Sequence, residues 1–163
     1  MKRIHIVALA ASGVLATGGL AWAEHHERRA ATGVVSSNPT YEKECGACHM
    51  PFQPQFLPVR SWTALMSNLG SHFGDDATLD DTTRQAILTY LQANAGDAPG
   101  MPTRYLRGLA VSQTPLRISD TPFWVRAHQG EVAPSAYLDP KVKSKANCVA
   151  CHAGAQQGVY EGD

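Results

Sequence analysis

Two short stretches near opposite ends of the chain decide how it folds. They are ECGACHM at residues 44–50 and NCVACHAG at residues 147–154. Each contains two cysteines that are separated by two residues and followed at once by a histidine, in the pattern C-x-x-C-H. Together the two stretches contain all four cysteines of the 163-residue sequence. Any interpretation must therefore explain a pattern that occurs twice and leaves no cysteine unused.

The pattern C-x-x-C-H is typical of the covalent attachment of c-type haem. Its two thiols form thioether bonds with the vinyl groups of the porphyrin, and the histidine binds the iron from one side. We therefore predict two haem c groups. The predicted attachment residues are Cys45 and Cys48 at the first haem and Cys148 and Cys151 at the second. The iron ligands predicted within the two motifs are His49 and His152.

Three other roles for the cysteine pairs fit the sequence less well. A zinc site built from both pairs would have to join motifs roughly a hundred residues apart, far beyond the usual spacing. A thioredoxin-like centre is expected in a βαβ context, which the sequence lacks. Disulfides are usual in exported proteins, but they would not require a histidine after each pair.

The start of the sequence has the pattern of a secretory signal peptide. Lys2 and Arg3 precede a largely apolar segment at residues 4–20, and residues 21–23 form the small-x-small cleavage site Ala-Trp-Ala. We predict that residues 1–23 are removed by cleavage near Ala23 and that the protein is exported to the periplasm. The alternative is an uncleaved membrane anchor, since the apolar segment is close to spanning length.

Charge and composition argue against one class of partner and leave room for a cofactor. Without Lys2 and Arg3, 12 basic and 14 acidic side chains remain, and no basic patch indicates binding of nucleic acid. Glycine (14 residues) and proline (10 residues) are plentiful, whereas aromatic residues make up 7% of the chain. A core of side chains alone would be thin. We expect the haem groups to fill the interior, with each Å² of buried apolar surface contributing roughly 25 cal/mol.

Capping patterns predict where helices begin in the first half of the chain. Asn38 and Pro39 are typical of an N-cap and a first helical residue, which predicts a helix through residues 41–48. Another helix is predicted over about residues 79–95, opened by a capping-box-like pair that begins at Thr78.

A helix between these two would supply the second ligand of the first iron. It is predicted to begin at Ser61 and to end at Gly74. The residues that share one of its faces, by steps of three and four, are Trp62, Leu65, Leu69 and His72. His72 is therefore the predicted ligand opposite His49, and Met66, which lies beside the same face, is the alternative.

The second iron has its candidate ligands before its motif, because little chain follows Cys151. Thr121 and Pro122 again resemble a cap and a first helical residue, and they predict a short helix with His128 near its end. Asp139-Pro140 predicts a further helix that leads into Cys148. His128 is favoured as the ligand opposite His152, and Met101 remains the alternative. His25 and His26 are poor candidates for either iron.

The first of these regions resembles class I cytochrome c over about residues 38–95. In that family an N-terminal helix ends in C-x-x-C-H and a later helix packs on it. The second ligand in that family is usually methionine, and here the corresponding segment offers His72 instead.

The chain as a whole resembles the soluble dihaem cytochrome c family. The stretches that carry the resemblance are ECGACHMPFQPQFLP, RSWTALMSNLGSHFGDDATLD, TPFWVRAHQGEV and NCVACHAG. The resemblance implies a mostly α fold, with short helices and long loops wrapped around two covalently bound haems. It implies a cytochrome c-like domain at residues 24–98 and a haem-binding domain with little regular structure at residues 99–163. It also implies that two histidines hold each iron, His49 with His72 and His128 with His152.

These features predict an electron carrier rather than an enzyme. Two histidines saturate an iron, so no position remains for oxygen or peroxide. Partners implied by the resemblance are other redox proteins in transient contact, namely an oxygen-binding high-spin cytochrome c and a membrane cytochrome b. The alternative is a haem enzyme, such as a dihaem peroxidase or reductase, or a gas sensor, each with one open iron.

Overall fold

The computed structural model describes residues 37–160, and within them the chain is helical and has no strands. The α-helices are α1 (Pro39–Cys45), α2 (Val59–Met66), α3 (Asp81–Ala93) and α4 (Pro122–His128). Short 3-10 helices lie at Pro54–Phe56, Leu69–Ser71, Thr103–Leu106, Ile118–Asp120, Pro134–Leu138, Cys148–Ala150 and Ala155–Gln157. The predicted fold class, mostly α with short helices and long loops, is confirmed.

The N-terminal predictions concern a part of the chain that the structure leaves out. The signal peptide, its cleavage near Ala23 and the histidines His25 and His26 lie outside the described residues. Across residues 37–160, every helix is too short or too polar to cross a membrane.

Helix α1 begins as its cap predicts and ends earlier than expected. The Asn38 side chain accepts a hydrogen bond from the Tyr41 amide at 2.9 Å, and Pro39 is the first helical residue. The helix ends at Cys45 because Gly46 closes it, with its N–H donating to the Glu42 carbonyl. A Cβ at Gly46 would lie 2.1 Å from that oxygen, so no larger residue fits. The rest of the motif therefore lies on a turn after the helix.

Helix α2 does not extend to His72, so the prediction that His72 shares its face was wrong. The helix spans Val59–Met66, and Ser67 caps it by donating its N–H to the Thr63 carbonyl at 3.1 Å. At Asn68 the backbone leaves the helical region, with φ −138° and ψ 45°. The spacing of three and four residues continues in the sequence to Leu69 and His72, although the helix ends at Met66.

The cap of helix α3 lies two residues after Thr78, the cap that the sequence predicts. The cap is Asp80, whose carboxylate accepts from the Thr83 amide at 3.0 Å. Thr78 is held instead by Asp76, which accepts from the Thr78 amide at 2.9 Å. Helix α3 packs against α1 and α2. The resulting core consists of Tyr41, Leu57, Trp62, Met66, Ile87, Leu91, Ala95 and Ala98.

The second half of the chain confirms one predicted helix and contradicts another. Thr121 caps α4 by accepting from the Trp124 amide at 3.2 Å. No helix follows Asp139, because its carboxylate accepts from the Lys141 amide in a turn and Lys143 adopts a φ of 64°. A residue with positive φ cannot continue a right-handed helix. The chain therefore reaches the second motif through turns.

Buried side chains are concentrated in the first half. Between residues 99 and 160 the fully buried residues are Tyr105, Thr121 and Ala155. The Tyr105 ring makes edge-to-face contacts with two other aromatic rings. Its centroid lies 4.8 Å from that of Phe56 and 5.0 Å from that of Phe123. The division into haem domains at residue 98 stays a prediction.

Candidate haem centres

The first candidate centre places two histidine rings at the spacing of a shared metal ion. His49 lies on the turn after α1, and His72 lies after a 3-10 helix. Their ring centroids are 6.2 Å apart and their planes differ by 19°. Metal–imidazole bonds of about 2.0–2.1 Å, with each ring centre roughly 1.1 Å beyond its nitrogen, would place two such centres about 6.2 Å apart. The pair therefore fits one iron between its rings.

The second candidate centre has the same spacing and a different orientation. His128 is the last residue of α4, and His152 follows the second pair of cysteines. Their ring centroids are 6.1 Å apart and their planes differ by 88°. One iron fits between these rings too, but the imidazole planes are nearly perpendicular.

Backbone carbonyls orient one histidine at each centre. Nδ1 of His49 lies 2.8 Å from the Met50 carbonyl, and Nδ1 of His128 lies 2.8 Å from the Trp124 carbonyl. A proton on each Nδ1 that is donated to the carbonyl leaves the Nε2 lone pair for a metal. Trp124 also stacks on His128, with ring centroids 4.1 Å apart and planes 14° apart. Both contacts fix the ring of His128 at the end of α4.

A tight turn presents His72. His72 and Asp75 exchange backbone hydrogen bonds of 2.8 and 3.1 Å. Between them Phe73 and Gly74 have φ values of 56° and 109°. Such values are typical of a two-residue hairpin turn, but they are unfavourable for a bulky residue such as phenylalanine. The Arg117 guanidinium lies 3.9 Å from the centre of the Phe73 ring and so covers the turn.

Burial keeps His72 in the form that binds metals. Burial lowers the pKa of the His72 imidazole, and His49 and Arg117 lower it further, whereas Asp75 raises it. The ring is therefore more readily neutral than an exposed histidine. A neutral imidazole is the form that ligates iron.

The methionines considered as alternative ligands pack in the first half of the chain. Met66 is 4% exposed and belongs to the core, and Met101 packs against that core. The residues that lie opposite His49 and His152 are His72 and His128. The ligand set itself stays a prediction.

Two of the four cysteines, Cys45 and Cys148, have the environment of unreactive thiols. None of the four forms a disulfide. Burial, with Glu44 adding to it, raises the pKa of the Cys45 thiol to about 11, and burial also raises the pKa of the Cys148 thiol. A reactive redox dithiol needs a lowered pKa. Within residues 37–160, no three histidine, cysteine or acidic side chains form a group that could hold a metal such as zinc.

Sequence reasoning missed a link between the segments that follow the two motifs. Gln53 donates from Nε2 to the Ala155 carbonyl at 2.8 Å and accepts from the Tyr160 hydroxyl at 2.5 Å. The Tyr160 ring contacts His152, with centroids 5.3 Å apart, and Phe56, with centroids 5.4 Å apart. No local signal could reveal these contacts, because Gln53 and Tyr160 are 107 positions apart.

A buried hydroxyl beside the second centre also fits a bound porphyrin. The Tyr137 ring lies 6.0 Å from that of Trp124, which stacks on His128. The Tyr137 hydroxyl oxygen is buried and has no hydrogen-bond partner among the described residues. Because buried polar groups are normally hydrogen-bonded, a polar group of the cofactor is a suitable partner.

The helical fold and the paired C-x-x-C-H motifs define a c-type cytochrome with two haems. The sequence model of the dihaem cytochrome c family matches residues 41–160. The chain belongs to the dihaem cytochrome c family, whose members bind two haem c groups. The resemblance and the cofactors predicted from the sequence are thereby confirmed.

Solved structures agree with this assignment. A dihaem cytochrome c from Rhodobacter sphaeroides is 48% identical, with a TM-score of 0.72, over 78% of this chain and 99% of that one. A second structure is the crystal structure of DHC purified from Rhodobacter sphaeroides. Its chain is 44% identical, with a TM-score of 0.66, over 77% of this chain and 99% of that one. A dihaem cytochrome from Shewanella baltica is 32% identical, with a TM-score of 0.62, over 76% and 87%. No curated protein matches the sequence.

Proposed function

We propose that this protein carries electrons and that two imidazoles hold each iron. The proposed ligand pairs are His49 with His72 and His128 with His152. The observation that supports this proposal is the separation of the two pairs of rings, 6.2 and 6.1 Å, which is the spacing of imidazoles on opposite sides of one metal ion. When bound, each haem supplies one Fe(III)/Fe(II) couple.

The proposed ligands suit electron transfer because they leave nothing to rearrange. His49 with His72 and His128 with His152 would hold each iron from both sides and would exclude oxygen and peroxide from it. The same pair serves both oxidation states, and the thioethers of each motif hold the porphyrin in place. Neutral nitrogen ligands also favour a lower potential than a methionine–histidine pair.

Carbon monoxide distinguishes an electron carrier from a haem enzyme or gas sensor. The reduced holoprotein should show no change in its absorption spectrum when carbon monoxide is added, because both axial positions are filled. Prompt binding at either haem would contradict the proposal and would favour an enzyme or a sensor. A pyridine haemochrome assay on the same sample should count two haems per chain and so verify full loading.

We also propose that the protein is exported and exchanges electrons with other redox proteins. The signal-peptide pattern of residues 1–23 supports periplasmic location. The family resemblance supports an oxygen-binding high-spin cytochrome c as acceptor and a membrane cytochrome b as donor. Mass spectrometry of the protein from a periplasmic fraction should give a mature chain that begins near Glu24. A full-length chain in the membrane fraction would contradict export by cleavage.

A further inference from the structure

The loop before the second motif concentrates positive charge on an exposed surface. Lys141, Lys143 and Lys145 alternate along it, and all three are exposed. Apolar side chains flank them, with Leu138 82% exposed and Val149 41% exposed. Exposed apolar side chains next to charged ones are found at surfaces that bind another protein transiently.

Internal hydrogen bonds hold the lysine loop, which is defined as residues 138–147. Lys143 has a φ of 64°, which is uncommon for a residue other than glycine. Its amide donates to the Asp139 carbonyl at 2.8 Å, and Asn147 donates from its side chain to the Val142 carbonyl at 3.0 Å. The one carboxylate in the loop, on Asp139, accepts from the Lys141 amide at 2.8 Å. Backbone strain of this kind persists where the surrounding contacts hold it.

Contacts place this loop against aromatic side chains beside the second centre. The Lys145 ammonium lies 5.4 Å from the centre of the Trp124 ring and 5.6 Å from that of Tyr137. Trp124 stacks on His128, and the loop leads directly into Cys148. Cys151, the second attachment residue, is exposed. A protein bound to the loop would therefore lie beside the second haem.

Charges near the first centre have mostly the opposite sign. The carboxylates close to its histidines in the chain are Glu42, Glu44, Asp75 and Asp76. Lys43 and Arg117 offset part of this charge. At the second centre Glu131 lies three residues after His128, and Glu161 and Asp163 follow Tyr160 in the sequence, outside the described residues. The exposed lysines nevertheless distinguish the two centres.

We propose that the lysine loop, with Val149, is a docking surface for an acidic redox protein, which then exchanges electrons with the second haem. This inference rests on the proposed function. Its occupant is a protein with carboxylates around its own redox centre, because complementary charge steers the encounter of redox partners. One electron would pass between the haem iron and the partner's metal, and no bond would be formed or broken.

Binding to a redox-inactive acidic protein tests this surface separately from electron transfer. The probe is plant plastocyanin, a protein with acidic patches, in its zinc-substituted form and labelled with 15N. Titration with the oxidised holoprotein, followed by NMR, gives the Kd at an ionic strength of about 10 mM, where charges act over about 30 Å. We expect K141E/K143E to weaken binding about tenfold or more.

The control variant K43E/R84E makes the same change in net charge on the first half of the chain. Both of its side chains form surface ion pairs, at 2.7 and 3.2 Å, which contribute little to stability. It should leave the Kd close to that of the wild type. Equal weakening by both variants, or no weakening by K141E/K143E, would overturn the inference.

Oxidation by ferricyanide tests the proposed function on its own. Each molecule of reduced wild-type protein should reduce two ferricyanide ions, with one electron from each haem. Failure of this transfer would refute the electron-carrier proposal, whereas failure of the binding test alone would refute the docking surface.

Discussion

Gln53 and Tyr160 are joined by a hydrogen bond of 2.5 Å that spans 107 positions of the sequence. The same Gln53 side chain donates to the Ala155 carbonyl at 2.8 Å. The segments that follow the two motifs are therefore fastened together, and the Tyr160 ring is held against His152. This contact makes the second centre depend on a residue from the loop of the first.

Gln53→Ala should destabilise the holoprotein by about 1–3 kcal/mol, since it removes the hydrogen bonds of the Gln53 side chain to the Ala155 carbonyl and the Tyr160 hydroxyl. The urea midpoint, monitored by the haem absorption, measures this loss. Gln85→Ala on the exposed face of α3 is the control and should leave the midpoint nearly unchanged. An unchanged midpoint in Gln53→Ala would mean that the link contributes nothing in solution.

The two centres should give different electron paramagnetic resonance spectra. Near-parallel imidazole planes, as in the pair 19° apart, separate the iron d orbitals and give a rhombic low-spin signal. Near-perpendicular planes, as in the pair 88° apart, leave two of those orbitals almost equal in energy and give a strongly anisotropic signal. The oxidised protein at low temperature should show both signals. A high-spin signal from either iron would contradict ligation by two histidines.

His72→Met and His128→Met should each raise the potential of one haem and leave the other nearly unchanged. A thioether favours Fe(II) more than an imidazole does, and axial ligands set potentials over roughly 0.8 V in all. We expect shifts of about 0.1 V or more in a redox titration followed by absorption. His26→Met is the matched control. If neither ligand variant moved a potential, the assignment of both residues would be wrong.

Arg117→Ala should loosen the turn that presents His72. The guanidinium 3.9 Å above the Phe73 ring would be lost, a contact worth about 0.5–1 kcal/mol at an exposed site. We expect the reduced variant to bind carbon monoxide slowly at the first haem, whereas the wild type does not bind it. Arg84→Ala, which removes a surface arginine from α3, should behave as the wild type does. Absence of binding in all three proteins would exclude a role for Arg117 at this ligand.

Tyr41 should make the stability of the protein fall in alkali. Burial, with Tyr90 adding to it, raises the pKa of the Tyr41 hydroxyl well above its usual value. The stabilisation is complete below the unfolded-state pKa of about 10 and is lost as the pH rises through the folded-state value. Urea midpoints from pH 8 to about 11 measure this slope. Tyr41→Phe should flatten the slope, and it should cost about 1 kcal/mol at neutral pH through loss of the 2.6 Å bond to the Phe52 carbonyl.

Local chemistry made part of the fold predictable. Asn38 and Thr121 cap their helices as expected, because a cap depends on residues within one turn. The helix expected through His72 was wrong because Asn68 leaves the helical region, which periodicity does not register. The helix expected after Asp139 was wrong because a side chain that can cap a helix can equally well hold a turn.

The histidine pairs were predicted from helical spacing, a capping pattern and the family resemblance, and their spacing in space required the structure. Few histidines and methionines were available as alternatives to His72 and His128. Sequence reasoning could not find Arg117 beside Phe73 or Gln53 beside Tyr160, since both contacts join distant parts of the chain. These two contacts depend on tertiary packing rather than on a local sequence pattern.

The scarcity of buried side chains between residues 99 and 160, where Tyr105, Thr121 and Ala155 are the fully buried ones, bears on how the protein matures. This part of a newly made polypeptide buries few of its apolar side chains against one another, so little drives its collapse before porphyrin is attached. We expect proteases to degrade it first in cells starved of iron or lacking the attachment machinery. Cellular abundance of the intact polypeptide would then follow cofactor supply rather than transcription.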